Sequence, residues 1–348
     1  MRVKRRSPVK AIRWNHCKDP VIVEAHKLNQ ANTWTTGRIS VIEDKVSWTK
    51  MSDTEKRAYV LTFLVLSRID AEQGLVGMNA VAYNSPDNYT KATFTYQSGI
   101  EMIHSQVYHR ALTEFIQLSE ELKFTNWADD SREVNDVIEY LINNIVDVEN
   151  DPDELVSYLL QLAYSTVLEN YVFYLLFYNP LYEASVKYRM TKCAEAVRLI
   201  MRDESVHGSF SGYIFKKYWK EATEIQKEKV NSRFEKFLDT LYGRVEALLN
   251  FIYTDPFIIE DIKRFANFNL NRTLVNLGFS EVFSGDDIVF HPAVEAEVKY
   301  DMESTHDIFS MAGDSYFMMD STAWVKDNVE NVQRKLKEKP DLVPVLRG

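Results

Sequence analysis

Two Glu-x-x-His pairs are spaced so that their side chains can act together: Glu101 with His104, and Glu204 with His207. Helical residues three apart lie about 60° apart around the axis, so each pair can aim a carboxylate and an imidazole at one point. A lone carboxylate precedes each pair: Asp70 lies 31 residues before Glu101, and Glu169 lies 35 before Glu204. The chain thus carries a sparse internal repeat, in which a single-carboxylate helix is followed by a Glu-x-x-His helix. Four carboxylates and two neutral imidazoles balance two divalent cations, and this donor set suits iron or manganese better than zinc. The six residues predict a carboxylate-bridged dinuclear metal site inside an all-α, ferritin-like helical bundle.

Spacing alone is weak, since a chain of 348 residues should contain about one Glu-x-x-His by chance. Glu303 and His306 have the same spacing, but they follow a loop and lack an apolar helical face, so no metal is expected there. The other two pairs fall where patterning predicts core. Val197 and Ile200 lead into Glu204 and His207, while Ile100, Ile103 and Val107 surround Glu101 and His104. Ionised groups at such positions need partners. Tyr108, seven residues after Glu101 and four after His104, shares their face and is the candidate redox residue among 19 tyrosines. Phe173, Phe177 and Ile200 are expected to wall the same space.

Long helices must position these groups. Only 11 Gly and 9 Pro interrupt the chain. Helical patterns cover residues 50–82, 92–123, 132–178, 185–253 and 258–277, with breaks expected at Ser85-Pro86-Asp87, Asn150-Asp151-Pro152 and Asn179-Pro180. One domain is expected over residues 1–320, followed by a polar C-terminal tail over 321–348. Residues 155–178 are apolar enough to raise a membrane span, but Glu169 sits in their middle and no basic residue closely flanks them, so a central bundle helix is the reading.

The net charge of -10 disfavours nucleic-acid binding. The basic cluster of Arg2, Lys4, Arg5, Arg6 and Lys10 is followed by no apolar core and reads as a solvated arm rather than a secretory signal. Cys17 and Cys193 are far apart and form no thiol metal motif, which fits a reducing cytoplasmic setting.

Three segments carry a resemblance: Ile200-Met201-Arg202-Asp203-Glu204-Ser205-Val206-His207-Gly208, Asn271-Arg272-Thr273-Leu274-Val275-Asn276-Leu277-Gly278, and His306-Asp307-Ile308-Phe309-Ser310. With Ala11-Ile12-Arg13-Trp14-Asn15, they make the chain resemble the small, radical-generating subunits of class I ribonucleotide reductases, closest to class Ib, up to about Met319. The resemblance implies that Asp70, Glu101, His104 and Glu204 serve one metal, and Glu169, Glu204, Glu101 and His207 the other. It also matches Tyr108 to the family's radical tyrosine, with Asp70 beside it, and Trp34, Asp203 and His104 to its electron-transfer route.

The resemblance further implies two Fe or two Mn ions per chain, a homodimer, a large (alpha) subunit that performs nucleotide reduction, and, for manganese, a flavodoxin-like activating protein. The ending departs from the family pattern. After Met319 the one aromatic residue is Trp324, and the terminus is basic where relatives dock the large subunit through an acidic or aromatic end. Two other readings use the same ligands: a diiron oxidase or oxygenase acting on an organic substrate, and a ferritin-type metal store.

Overall fold

The computed structural model describes residues 12–148 and 151–298, which form helices and turns without a strand. In chain order the α-helices are α1 (Pro20–Asn32), α2 (Lys45–Trp48), α3 (Asp53–Glu72), α4 (Met78–Asn84), α5 (Asn88–Phe115), α6 (Leu118–Asp130), α7 (Arg132–Asp147), α8 (Glu154–Val167), α9 (Phe173–Ser185), α10 (Thr191–Trp219), α11 (Glu224–Ile252) and α12 (Pro256–Leu277). Five-residue π-helical turns at Gln73–Gly77 and Leu168–Val172 join α3 to α4 and α8 to α9.

Local chemistry sets the helix starts. Ser52 and Glu55 form a reciprocal capping box on α3, and Asp87 accepts from the Tyr89 and Thr90 amides at 2.9 and 2.8 Å to start α5. Helix α10 is capped from a distance: the buried Asp44 carboxylate accepts from the backbone amides of Lys192 and Cys193. At the end of α12, Gly278 takes a left-handed conformation with φ 87°, which closes the last turn without a Cβ clash.

Packing explains the apolar central segment. Residues 156–181 are buried without interruption, and around them α10 packs on α8 and α9, α7 and α11 pack on α8, and α12 packs on α9. Helix α3 packs on α5. A helix buried all round reads as hydrophobic all round, which accounts for the span-like composition. Among the described residues no helix is long and apolar enough to cross a membrane.

Three sequence expectations are corrected. Asn179-Pro180 does not end a helix: Pro180 lies inside α9, which continues to Ser185. Proline there removes one hydrogen-bond donor and typically costs about 3 kcal/mol, which the fully buried surroundings of Asn179, Pro180 and Leu181 offset. The pattern over 92–123 divides because Ile116 is extended and α6 turns back onto α3. The pattern over 185–253 divides at the Thr223 and Gln226 capping box that starts α11. The N-terminal basic cluster, the segment Glu303 to His306 and the tail with Trp324 lie outside the described residues.

Gly74 permits the first π-turn to touch α5. A Cβ at this position would lie 2.9 Å from the Ser98 carbonyl oxygen and 3.0 Å from the Glu101 Cβ. Because the obstacle includes backbone, Gly74→Ala should force α3 and α5 apart and destabilise the protein by about 1–3 kcal/mol. A denaturant midpoint at or above the parent's would contradict this account of the contact.

Candidate metal centre

The two Glu-x-x-His helices face each other in antiparallel register. Glu101 on α5 meets His207 on α10, with Oε1 to Nδ1 at 2.6 Å, and His104 Nδ1 meets Glu204 Oε1 at 2.9 Å. Asp70 enters from the last turn of α3, and Glu169 from the second π-turn. All six side chains are 0% exposed. Each single carboxylate is thus carried by or next to a π-turn, an element that recurs at functional sites because its extra residue re-aims side chains within a helix. Gln73 links the two halves: its Nε2 donates to Glu169 Oε1 at 2.5 Å and to Ser165 Oγ at 3.2 Å.

The structure brings the six residues into two overlapping groups, Asp70, Glu101, His104 and Glu204, and Glu101, Glu169, Glu204 and His207. Within each group one ligand atom per residue lies within 4.8 Å of the others. Both oxygens of Asp70 and Glu169 Oε2 are buried without a hydrogen-bond partner, and the Glu101 oxygens and Glu204 Oε1 have only the imidazoles of His104 and His207 beside them. Carboxyl groups gathered at this depth with so few hydrogen-bond donors are suited to cations. The donors fit two divalent ions with Glu101 and Glu204 shared between them, and the charges cancel when both imidazoles are neutral.

A hydrogen bond fixes the orientation of His104. Its Nε2 lies 3.2 Å from Asp203 Oδ2, the same oxygen that accepts the Trp34 indole N–H at 2.7 Å. With Nε2–H committed to Asp203, the lone pair of neutral His104 sits on Nδ1, facing the carboxylates. Arg202 holds the other Asp203 oxygen at 3.3 Å. Trp34 and Asp203 are both buried.

Tyr108 is 1% exposed, and its hydroxyl has no hydrogen-bond partner. Burial, then the Asp70 carboxylate, raises its phenol well above the ordinary tyrosine value. Its ring meets Phe63 edge-on at 5.4 Å. The expected wall residues Phe173, Phe177 and Ile200 are all fully buried, and the two phenylalanine rings stack at 6.3 Å. Of the residues flanking the ligands, Val197, Ile100 and Val107 are buried and Ile103 is half-buried. Sequence reasoning missed Phe63 and Gln73. Both stand at helical spacing from Asp70, seven residues before and three after, which was the available signal.

Residues 11–290 match the family described as ribonucleotide reductase, small chain. The chain belongs to this family. It is 27% identical over 308 residues to a ribonucleoside-diphosphate reductase subunit beta of Mycobacterium tuberculosis, covering 88% of this chain and 92% of the relative. It is 25% identical over 312 residues to ribonucleoside-diphosphate reductase 2 subunit beta of Escherichia coli, covering 90% and 95%. The crystal structure of dimanganese(II)-NrdF from Streptococcus sanguinis superposes with a TM-score of 0.76 at 27% identity, covering 83% of this chain and 99% of that one. The protein is therefore a beta subunit of ribonucleoside-diphosphate reductase, an oxidoreductase, as the resemblance implied.

The electrostatics of this small subunit give a pH dependence. Burial, then the Glu204 and Glu101 carboxylates, hold the Asp70 carboxyl well above the usual range. Burial, then Glu101 and Glu204, raise Glu169 in the same way. Burial opposes charge on His104 and His207, but Glu204 for the first and Glu101 for the second outweigh it, and both imidazoles are raised. Glu101 moves down to about 2, because the His207 and His104 contacts outweigh burial, which would raise it. All four groups therefore bind protons more tightly than they would in water, and those protons compete with incoming cations, so apparent metal affinity falls as pH is lowered. Calorimetric titration with Mn(II) in buffers of different ionisation enthalpy should show net proton release, with affinity increasing from about pH 6 to about pH 8. Buffer-independent heats and constant affinity would contradict it.

Proposed function

We propose that this subunit holds two Fe or two Mn ions between Asp70, Glu101, His104, Glu169, Glu204 and His207, stores an oxidising equivalent as a tyrosyl radical on Tyr108, and lends it to the large subunit for ribonucleotide reduction. The observation that carries the reading is the pair of buried four-ligand groups sharing Glu101 and Glu204, one helical turn from Tyr108. When bound, the metal pair supplies the one-electron oxidation of the phenol. Asp70, the carboxylate acting most strongly on that phenol and itself made more basic by burial, takes the hydroxyl proton. The closed surroundings keep water and reductants from the ring. For transfer to the large subunit, Trp34 supplies the electron, and Asp203 accepts its indole proton across the 2.7 Å hydrogen bond while orienting His104.

The same reading makes the protein a cytoplasmic homodimer that works with the large subunit and, when manganese is used, with a flavodoxin-like activating protein. A substrate oxidase would need an opening to the ions, whereas every ligand here is 0% exposed. A metal store would keep its chemistry without Tyr108.

Tyr108→Phe separates these functions. Only the hydroxyl is removed, and that hydroxyl has no hydrogen-bond partner, so stability should change by less than about 1 kcal/mol and both ions should still bind. The tyrosyl signal in electron paramagnetic resonance and nucleotide reduction should both vanish. A tyrosyl signal of parental size in that variant would place the radical on another residue.

A further inference from the structure

A second line of rings runs from Tyr108 back along α3. Tyr108 meets Phe63 at 5.4 Å, Phe63 meets Tyr59 at 4.7 Å, and Tyr59 meets Trp48 at 6.2 Å between centroids. Trp48 in turn stacks on Phe115 at 5.3 Å. Phe63 and Tyr59 stand one turn apart on α3 and Trp48 ends α2, so three helices hold a continuous aromatic contact. Tyr59 is fully buried, whereas Trp48 keeps 8% of its surface accessible and is followed by exposed Thr49 and Lys50. The metal-side tryptophan, Trp34, reaches the centre through Asp203 and His104 instead.

We infer that Trp48 is a redox site, the outer end of a drain through which small one-electron reductants in solution discharge Tyr108 without entering the buried centre. The inference rests on the reading of Tyr108 as the stored oxidant. Trp and Tyr are the readily oxidised side chains among these rings. Phenylalanine is not oxidised here, and Tyr59, fully buried, cannot release its proton to solvent, so Phe63 and Tyr59 act as bridges. One electron passes from the Trp48 indole to the Tyr108 phenoxyl, which takes back the proton that Asp70 holds and becomes tyrosine. Trp48, the ring of the line that keeps some accessible surface, exchanges its N–H proton with solvent, and the reductant restores it with one electron while water returns the proton. Lys56 Nζ lies 5.8 Å from the centre of the Trp48 ring, and its positive charge opposes electron loss there. The lysine thereby restrains the drain.

The test uses the metal-loaded protein carrying its radical, with ascorbate as the reductant and the tyrosyl resonance followed in time. Trp48→Phe keeps an aromatic ring but removes the oxidisable indole, so its ascorbate-dependent decay should be severalfold slower, from an initial radical yield matching the parent's. Lys56→Met, which leaves every ring in place, should decay severalfold faster and serves as the deciding variant if Trp48→Phe does not fold. Decay at the parental rate in a folded Trp48→Phe protein, or no acceleration in Lys56→Met, overturns the drain while leaving Tyr108 as the stored oxidant. Absence of any tyrosyl resonance in the parent overturns the Tyr108 reading instead, and the drain with it.

Discussion

Four carboxylates and two imidazoles, all without solvent exposure, form the constraint around which this protein is organised. Such a cluster is unfavourable in a helical core unless positive charge enters it, because the groups repel one another and cannot be hydrated. The structure answers with shared geometry. Glu101 and Glu204 belong to both four-residue groups, so two cations can neutralise the cluster while each sees carboxylate oxygen and one imidazole. Stability and function would thereby be coupled, since the groups that weaken the core by themselves are those placed to hold cations.

Everything near the cluster serves either its aim or its isolation. The antiparallel register of α5 and α10 sets the imidazole of each motif against the glutamate of the other. The π-turns shift the backbone beside the lone carboxylates, and Gln73 ties the first turn to Glu169. Asp203 then differentiates the two halves of the repeat by connecting His104 to Trp34. Around Tyr108, aromatic packing supplies a dry wall, and the ring contacts that isolate the phenol also connect it outward through Phe63 and Tyr59 to Trp48.

Most of the centre was legible because helical geometry converts sequence spacing directly into shared direction. The spacing of Glu101 with His104, and of Glu204 with His207, gave the pairs, and the matching positions of Asp70 and Glu169 completed the set. The caps at Ser52 and Asp87 and the Thr223 to Gln226 box were written in the sequence, and weighing them would have set the helix starts and divided the long pattern over 185–253. The π-turns had no sequence signal, because they arise when packing between helices favours an extra residue per turn. Pro180 failed as a breaker for a related reason: a local preference was overruled by the burial of the whole segment. Gly74 could be read from sequence only as a glycine; its closeness to Glu101 appears once α3 and α5 are packed.

The central claim is that two ions occupy this cluster and share two carboxylates. Anomalous diffraction from crystals of the metal-loaded protein, recorded on both sides of the manganese and iron absorption edges, tests it directly and identifies the element. The account predicts two anomalous peaks per chain about 3.5–4 Å apart, one bounded by Asp70 and His104, the other by Glu169 and His207, with Glu101 and Glu204 between them. A single peak, or two peaks that do not share Glu101 and Glu204, would contradict it.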